Sequence, residues 1–418
     1  MEHVFDVVIV GGGPAGCAAG IHLAKEGHRV AILEKARFPR YMVGESLIPY
    51  CYFPLERLGL LDKIEAAGFQ AKHSVQFAST NGNCSQPFYF QQHMNHRAAT
   101  TWQVDRAAFD QILLDHAREM GVQVFEETAA RALIRDDAGS VIGVQARRGD
   151  EPLTFAATLT IDASGRDTFA MTKNQWRVRD PYLKKVAIWT YYEHAKRDTG
   201  LDEGATTIAY LPDKGWFWFL PLSKNLTSVG IVAEKDYLYA ETRDPAAIFA
   251  REIENNLWIK DHLAGARVAG EYRVTGDYSY RSKHIAEDGL VLVGDAFAFL
   301  DPVFSSGLFL ALVSGEMGGM AANEALRDGD VSASRFADYA ESFIGGMEAF
   351  RKLVYLFYDH DFRFGHLVKR HPDRRPELTD CLIGNIFRDF DKLFQAMSEF
   401  APLPEPLSHG RPLTAATR

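Results

Sequence analysis

The chain has 418 residues, 47% of them hydrophobic and 12% aromatic, which is enough for a large core and more than one domain. Its 55 acidic residues outnumber its 46 Lys and Arg residues, and this formal net charge of −9 argues against a nucleic-acid-binding protein. The four cysteines lack Cys-x-x-Cys spacing, so we expect no disulfide framework and no metal site. We find no signal peptide and no apolar run of membrane-spanning length, and therefore expect a cytoplasmic protein.

The beginning of the chain carries a dinucleotide-binding pattern. Residues 5–10 form an apolar, β-branched run that is typical of a buried parallel strand. A Gly-x-Gly-x-x-Gly turn and a helix start follow, where the backbone and the helix amino end can bind a pyrophosphate. This segment consists of Gly11, Gly13, Pro14, Ala15 and Gly16. A second strand ends at Glu34, next to Lys35, and the acid lies where it can bind ribose hydroxyls. The alternative is a glycine-rich turn without a ligand.

A loop-like segment with Pro and Gly, residues 36–49, comes next and leads into a helix near residues 54–61. Taken alone, it predicts a capping Ser46 and solvated arginines. Lys72 then lies just before a predicted strand, residues 74–78. A lysine with a chemical role needs a water-poor pocket, whereas most lysines are surface charges.

A helix that follows the strand 100–104 begins at the acidic cap Asp105, with Arg106 at its first position. A simple salt bridge is the alternative role for this arginine. Four short alternating runs between residues 122 and 161 then predict a strand followed by an antiparallel meander. The last run ends at Asp162, in the turn Asp-Ala-Ser-Gly-Arg.

Long alternating runs between residues 185 and 233 predict a second, antiparallel sheet, which we assign to substrate binding. Its centre is Trp216-Phe217-Trp218-Phe219. Because side chains alternate across a strand, the two tryptophans should face one side and the two phenylalanines the other. Aromatic side chains often line cofactor and aryl pockets. A strand buried on both faces, with no role in binding, is the alternative.

The apolar strand 289–293 leads into Gly294-Asp295 and then into a turn, residues 301–307, that ends in Ser-Ser-Gly. A long helix, residues 308–327, follows, so the free N–H groups at its start can bind an anion. A helix cap alone is the alternative. We predict further helices over residues 331–356 and 379–400 and a loose tail from residue 403.

Together these motifs resemble the FAD-dependent halogenases, the tryptophan-halogenase-like family of the para-hydroxybenzoate-hydroxylase-like FAD superfamily. The resemblance runs from Val4 to about Arg327. It rests on Arg-Phe-Pro-Arg and Val-Gly-Glu-Ser-Leu-Ile-Pro in residues 37–49, on the Asp162 turn, on Trp-x-Trp-x-Leu-Pro, and on Asp-Pro-Val-Phe-Ser-Ser-Gly. The chain departs from the family at Leu220, where Ile is usual, and at Phe297, where a small residue is usual and where Phe would narrow the site.

The resemblance implies an α/β fold. A Rossmann-like FAD-binding domain of the glutathione-reductase type would comprise residues 1–80, 100–175 and 270–330. An inserted antiparallel-sheet substrate domain would comprise residues 81–99 and 176–269. A helical C-terminal region would occupy residues 331–402, and a flexible tail residues 403–418.

It also implies the site. The residues expected to bind FAD are Gly11, Gly13, Pro14, Ala15, Gly16, Glu34, Lys35, Arg40, Gly44, Glu45, Ser46, Arg106, Asp162, Gly165, Arg166, Gly294, Asp295, Pro302, Ser305 and Gly307. Chloride or bromide would lie near Ser306 and Gly307. Lys72 would meet hypohalous acid made from FADH2, O2 and halide, while Trp216 and Trp218 would disfavour direct monooxygenation.

The resemblance further implies partners. A separate flavin reductase would supply FADH2, and the substrate would be an electron-rich aryl or pyrrole ring, free or held on an acyl or peptidyl carrier protein. A C-terminal basic cluster would be either solvated surface or a docking site for an acidic carrier protein: Arg351, Lys352, Lys369, Arg370, Arg374 and Arg375. An FAD-dependent monooxygenase or reductase of the same fold, and a non-catalytic flavin-binding module, are the alternative functions.

Overall fold

Two β-sheets and a set of helices organise the chain in the computed structural model, which describes residues 2–212, 215–276 and 279–414. In chain order the strands are β1 (Glu2–Val10), β2 (Val30–Leu33), β3 (Gln70–Lys72), β4 (Ser74–Ala78), β5 (Phe88–Tyr89), β6 (Thr101–Gln103), β7 (Gln123–Phe125), β8 (Thr128–Arg135), β9 (Val141–Arg148), β10 (Glu151–Asp162), β11 (Arg177–Arg179), β12 (Lys185–Glu193), β13 (Thr206–Tyr210), β14 (Trp216–Pro221), β15 (Leu226–Glu234), β16 (Arg267–Val268), β17 (Arg273–Gly276), β18 (Tyr280–Ser282), β19 (Ala286–Glu287), β20 (Leu290–Leu292) and β21 (Ala298–Phe299).

The α-helices are α1 (Pro14–Lys25), α2 (Tyr52–Leu58), α3 (Leu61–Ala66), α4 (Arg106–Glu119), α5 (Phe169–Lys173), α6 (Lys235–Leu238), α7 (Pro245–Glu254), α8 (Leu257–Leu263), α9 (Gly307–Asp328), α10 (Ala337–Tyr358), α11 (Phe364–Arg370), α12 (Arg375–Ile383) and α13 (Asp391–Ser398). None of the helices in the described part of the chain combines the length and hydropathy that crossing a membrane requires.

The first sheet has a parallel centre in the order β20–β10–β1–β2–β7. This centre lies deep in the core, and Val7, Val8 and Ile9 of β1 are fully buried. The hairpins β8–β9 and β9–β10 extend it as an antiparallel meander, as predicted. Because β1, β2 and β10 run in one direction, their carboxyl ends meet at one edge, where parallel sheets usually bind ligands.

The second sheet has the order β16–β12–β15–β14–β13–β4–β5, with β17 also paired to β12. Most of its pairs are antiparallel, but β4 runs parallel to β13. One face packs on α7 and α8, where Phe217, Phe219 and Phe249 form a separate hydrophobic core. The other face joins the main core through Trp216 and Trp218.

At two places the predicted domain boundaries do not follow the membership of strands in the two sheets. Residues 74–78 fall in the predicted FAD-binding segment 1–80, but they form β4 of the second sheet. Residues 273–276 fall in the predicted segment 270–330, yet they form β17 and pair with β12. The pattern of a strand indicates that it is a strand, whereas sheet membership depends on hydrogen bonds to distant residues.

The C-terminal region also differs from prediction. Residues 379–400 do not form one helix, because Gly384, with φ 103°, ends α12 before α13 begins. The tail from residue 403 was expected to be loose, but up to residue 414 it lies along the fold. The Gly410 N–H donates to the Lys283 carbonyl at 2.9 Å and the Leu413 N–H to the Ala286 carbonyl at 2.7 Å. Residues 415–418 of that predicted tail lie outside the described residues.

Candidate active site

A cavity of about 770 Å³ lies between the carboxyl edge of the first sheet and the inner face of the second. Most of the residues predicted to bind FAD, and the two tryptophans of β14, contribute to its wall. Those that line it are Gly11, Gly13, Pro14, Ala15, Glu34, Lys35, Arg40, Gly44, Glu45, Ser46, Arg106, Gly165, Arg166, Trp216, Trp218, Asp295, Pro302, Ser305 and Gly307. The fold therefore brings together residues from distant parts of the chain, from its first strand to the start of α9.

Five predicted site residues do not line the cavity: Gly16, Asp162, Gly294, Ser306 and Lys72. A Cβ on Gly16 would lie 2.0 Å from the Gly11 carbonyl, so this glycine permits close packing of α1. The buried Asp162 carboxylate accepts from the Ser164 N–H at 3.0 Å and the Ala170 N–H at 2.7 Å. Asp162 therefore fixes the turn that follows β10. This structural role is not the FAD contact that the resemblance implies for this residue.

The loop between β1 and α1 forms a cradle that fits a dinucleotide. Gly11 has φ 108°, a conformation that favours glycine. A Cβ on Gly13 would meet only the Arg40 guanidinium, at 3.6 Å, so the backbone here is open to a close ligand. The Glu34 carboxylate accepts from the Gly12 N–H at 2.9 Å and the Ala36 N–H at 2.8 Å. Helix N–H groups, an arginine and an acid at a strand end suit the pyrophosphate and ribose of FAD.

Arg106 fixes the loop over this cradle. Its Nη1 donates to the carbonyls of Val43 and Gly44 at 3.0 and 3.1 Å. Its Nε and Nη2 bind both carboxylate oxygens of Asp110, at 2.8 and 2.9 Å, and Arg40 donates to the same carboxylate at 3.0 Å. Arg106 is thus both a salt-bridge partner, the alternative considered from sequence, and a residue of the cavity wall. Sequence reasoning missed Asp110.

Lys72 lies behind the cavity wall and is 1% exposed. Its Nζ donates to the Ser46 hydroxyl at 2.9 Å and to the Leu47 carbonyl at 3.0 Å. Burial lowers the pKa of Lys72 to about 7. This lysine is therefore not a surface charge, and it has the water-poor surroundings that a chemical role needs. Ser46 is the residue that connects it to the cavity.

The two tryptophans of β14 form the opposite wall, with ring centroids 6.2 Å apart. The predicted alternation is confirmed, because Phe217 and Phe219 pack in the separate core on the other face. The Trp218 Nε1–H donates to the Ser228 hydroxyl at 3.1 Å. The Trp216 Nε1–H donates to the Tyr358 hydroxyl at 2.8 Å. Tyr358, at the end of α10, thus holds the wall from the C-terminal region.

The turn before α9 closes the remaining side. Ser305, with φ 54°, and Gly307 line the cavity, while Ser306 is buried and forms the N-cap without a side-chain hydrogen bond. Asp301 accepts from the Val303 N–H at 3.2 Å and the Tyr358 hydroxyl at 3.0 Å. Burial raises the pKa of Asp301 to about 7 and that of Asp295 to about 6. Burial therefore makes the charged form of each carboxyl less favourable than it is in water, and this effect is larger for Asp301.

Phe297 was expected to narrow this site, and that expectation is wrong. It is fully buried, and its ring packs on Phe343 with centroids 6.1 Å apart, in the core beneath the turn. Sequence reasoning also missed the polar residues opposite Glu45, which are Tyr41, Trp189 and Tyr191. The last two occupy alternate positions of the predicted strand 186–193, a pattern that indicates a shared face but not the partner that it meets.

Comparisons with known proteins agree with this geometry. A family model described as tryptophan halogenase matches residues 6–97 and 81–398. The 1H-pyrrole-2-carbonyl-(peptidyl-carrier protein) chlorinase of Pseudomonas fluorescens is 30% identical, over 98% of this chain and 96% of its own length. The corresponding brominase of Pseudoalteromonas luteoviolacea is 32% identical over 92% of each chain. The solved structure of flavin-dependent brominase Bmp2 superposes with a TM-score of 0.85 at 29% identity, covering 95% of this chain and 98% of that chain.

Proposed function

Because this chain belongs to the tryptophan halogenase family, we propose that it halogenates an electron-rich pyrrole ring presented on a peptidyl carrier protein. The chain is an FAD-dependent halogenase, an enzyme that uses reduced FAD, O2 and a halide. The carrier-bound pyrrole is supported by two relatives named for that substrate, which match 98% and 92% of this chain. One of them is a chlorinase and the other a brominase, so both halides belong in the test.

The observation that carries the proposal is that one cavity joins the dinucleotide cradle to the tryptophan wall. Bound FAD would supply the electrons that reduce O2 while the halide is oxidised. Gly11, Gly13 and Arg40 would hold its phosphates, and the helix start at Gly307 would hold the halide. Trp216 and Trp218 would keep the substrate ring away from the flavin.

Lys72 would receive hypohalous acid at the Ser46 side of the cavity, opposite the two tryptophans. Its two hydrogen bonds, to Ser46 and Leu47, engage two N–H groups. Burial favours the neutral amine, and that form then keeps a lone pair free to capture or orient the electrophilic halogen. The halogen would reach the ring from Lys72 and not directly from the flavin.

A separate flavin reductase would supply reduced FAD, and we place both proteins in the cytoplasm. The cysteines support a reducing compartment, because the four in the described residues are free and three of them are buried. Within the basic cluster, Arg351 is buried and pairs with Glu348, so it belongs to the core. The more exposed Lys369, Arg370 and Arg375, near α11 and α12, remain our proposed surface for an acidic carrier protein.

The test combines the protein with FAD, a flavin reductase, NADH, O2 and pyrrole-2-carbonyl carrier protein, with chloride or bromide, and reads the product mass. We expect a halogen isotope pattern that disappears in Lys72→Ala and persists in the matched control Lys235→Ala, which changes an exposed lysine. An added oxygen atom without halogen would instead establish a monooxygenase.

A further inference from the structure

Glu45 is a buried carboxyl group in the cavity wall, 3% exposed. Its Oε1 accepts a hydrogen bond from the Tyr191 hydroxyl at 2.6 Å. The Ser228 hydroxyl also faces the carboxyl group, but Oε2 has no partner at hydrogen-bond geometry among the described residues. A buried carboxylate oxygen without a partner is unfavourable, so this geometry favours the protonated carboxyl group.

A line of hydroxyl groups connects this carboxyl group to the protein surface. The hydroxyl oxygens of Tyr191 and Tyr41 lie 3.3 Å apart, and the Tyr41 side chain is 41% exposed. The Trp189 Nε1–H donates to the Tyr41 hydroxyl oxygen at 2.6 Å and fixes its position. Tyr191 has one hydroxyl hydrogen, which it can donate either to Glu45 or to Tyr41. A proton moves along the line when Tyr191 transfers its hydrogen to Glu45 and receives one from the Tyr41 hydroxyl.

The proposed function, on which this inference rests, requires such a proton. Oxidation of a halide by the flavin and O2 balances as FADH2 + O2 + X− + H+ → FAD + HOX + H2O. FADH2 and the halide each lose two electrons, O2 gains four, and one proton is taken from outside the reactants. Where bound FAD and substrate would fill the cavity and exclude water, a protein group has to deliver that proton.

We propose that Glu45 donates this proton inside the cavity and that Tyr191 and Tyr41 return one to it from solvent. The O–H bond of the Glu45 carboxyl breaks, its electron pair stays on the carboxylate, and the proton goes to the oxygen atom that leaves as water. Tyr191 then protonates the carboxylate and regains a proton from Tyr41, which takes one from bulk water. Glu45 is the catalytic proton donor, and the two tyrosines are positioning residues.

The charges around Glu45 agree with this role. Burial raises its pKa to about 7, while the hydrogen bond from Tyr191 and the positive charge of Arg106, from α4, lower it and Asp105 raises it. Glu45 therefore carries a proton in a large fraction of molecules at neutral pH. Burial also raises the pKa values of Tyr191 and Tyr41, so both tyrosines stay protonated.

The first test needs neither cofactor nor activity. Infrared absorption by protonated carboxyl groups is recorded against pH for the cofactor-free wild type, Glu45→Gln and Tyr191→Phe. We expect one component of the wild-type band to titrate near pH 7 and to be missing in Glu45→Gln, while the components of Asp301 and Asp295, which titrate in the same range, remain. The midpoint of the Glu45 component should rise in Tyr191→Phe, because the lost hydrogen bond favours the carboxylate. A Glu45 midpoint near the ordinary value of 4.5 would overturn the proposal.

The second test measures hypohalous acid with a soluble trap, in water and in heavy water. We expect turnover to fall about 100-fold in Glu45→Gln, at the lower end of what a general acid contributes, and by less, about 10-fold, in Tyr191→Phe. Tyr191→Phe should also show a larger solvent isotope effect, and Glu45→Asp should recover part of the lost turnover. FAD affinity is measured beside turnover in each variant, so that weaker cofactor binding is separated from lost proton transfer.

Tyr182→Phe is the matched control, because it removes an exposed hydroxyl outside the line. Unchanged turnover and isotope effect in Tyr191→Phe would overturn the proton line alone. A wild-type protein that forms no hypohalous acid would overturn the proposed function, and the infrared titration would still report on Glu45.

Discussion

Lys72 is enclosed by Ser46, Leu47 and the ring of Phe90, whose centroid lies 5.6 Å from Nζ. Its place behind Ser46 separates it from the dinucleotide cradle. A residue in this position can affect what happens to hypohalous acid without affecting how the acid is made. The two steps can therefore be measured separately in one variant.

We expect Lys72→Met to leave the formation of hypohalous acid within about three-fold of wild type. Halogenation of the ring should fall about 100-fold or more, in the range that a positioned proton-transfer or nucleophilic group contributes. Methionine fills a similar volume but has no N–H to donate and no amine lone pair. Both rates are read from the same reaction, one with a soluble trap and one by product mass. An equal loss of both would place Lys72 in the cofactor step.

The signals that sequence reasoning used at this scale are local. Glycines at fixed spacing, and tryptophans two residues apart, can be recognised within a dozen positions. Tyr191 and Tyr358 act through hydrogen bonds to residues 146 and 142 positions away. Nothing in the spacing of such residues indicates the partner, so only the folded chain identifies them.

Among the elements, β14 and β15 together set the position of the tryptophan wall. Gly230 on β15 lies opposite Trp218, and a Cβ there would be 2.1 Å from its ring. The indole therefore occupies the space that a side chain at position 230 would need. A glycine at this place lets the ring lie flat against the neighbouring strand.

We expect Gly230→Ala to displace the Trp218 ring and to lower the free energy of unfolding by about 1–3 kcal/mol, as overpacking in cores does. The fraction of turnover that yields an oxygenated product should rise, because the wall no longer separates substrate from flavin. Denaturant unfolding and product mass are the measurements. Gly345→Ala, an exposed helix position with open space around its Cβ, should be neutral or stabilising. Equal effects at positions 230 and 345 would contradict the argument.

Helix α10 contributes to the same wall through its last residue. The Tyr358 hydroxyl accepts from Trp216 and donates to Asp301, so it links the tryptophan wall to the turn before α9. We expect Tyr358→Phe to cost about 1–3 kcal/mol of stability, since a buried N–H and a buried carboxyl each lose a partner. Urea unfolding of this variant, with Tyr182→Phe as control, would test the link. A cost well under that range, close to the Tyr182→Phe value, would show that other contacts hold the wall.

At the scale of the whole molecule, the shifted pKa values of Glu45 and Lys72 lower the free energy of unfolding near neutral pH. The raised pKa of Glu45 means that its contribution to stability is present below pH 4.5 and is lost as the pH rises through about 7. The lowered pKa of Lys72 means that its contribution is present above pH 10.5 and is lost as the pH falls through about 7. Near neutral pH, therefore, neither the Glu45 contribution nor the Lys72 contribution to stability is fully present.

We expect the double variant Glu45→Gln/Lys72→Met, without cofactor, to unfold at higher denaturant concentration than wild type. Moving a pKa by one corresponds to about 1.4 kcal/mol, so we expect a gain of roughly 2 kcal/mol or more at pH 7. The gain should be smaller at pH 5, where Glu45 is largely protonated when folded and its penalty is small, and at pH 10, where most of the Lys72 penalty is gone. A gain independent of pH would indicate a packing effect.

The overall architecture was the most predictable level, because the α/β class, the parallel centre and the meander follow from local patterns and turns. Residues 74–78 and 273–276, which the predicted boundaries place in the FAD-binding domain, form strands of the second sheet whose pairing partners are remote. The path of the C-terminal tail was unpredictable for the same reason. Its backbone bonds to residues 283 and 286 leave no pattern in the tail itself.

The odd-numbered and even-numbered residues of β14 have different roles, because their side chains lie on opposite faces of the sheet. Residues 217 and 219 support the core shared with α7 and α8, whereas 216, 218 and 220 face the cavity. A combinatorial library restricted to the even positions would vary the shape of the pocket and leave that outer core intact.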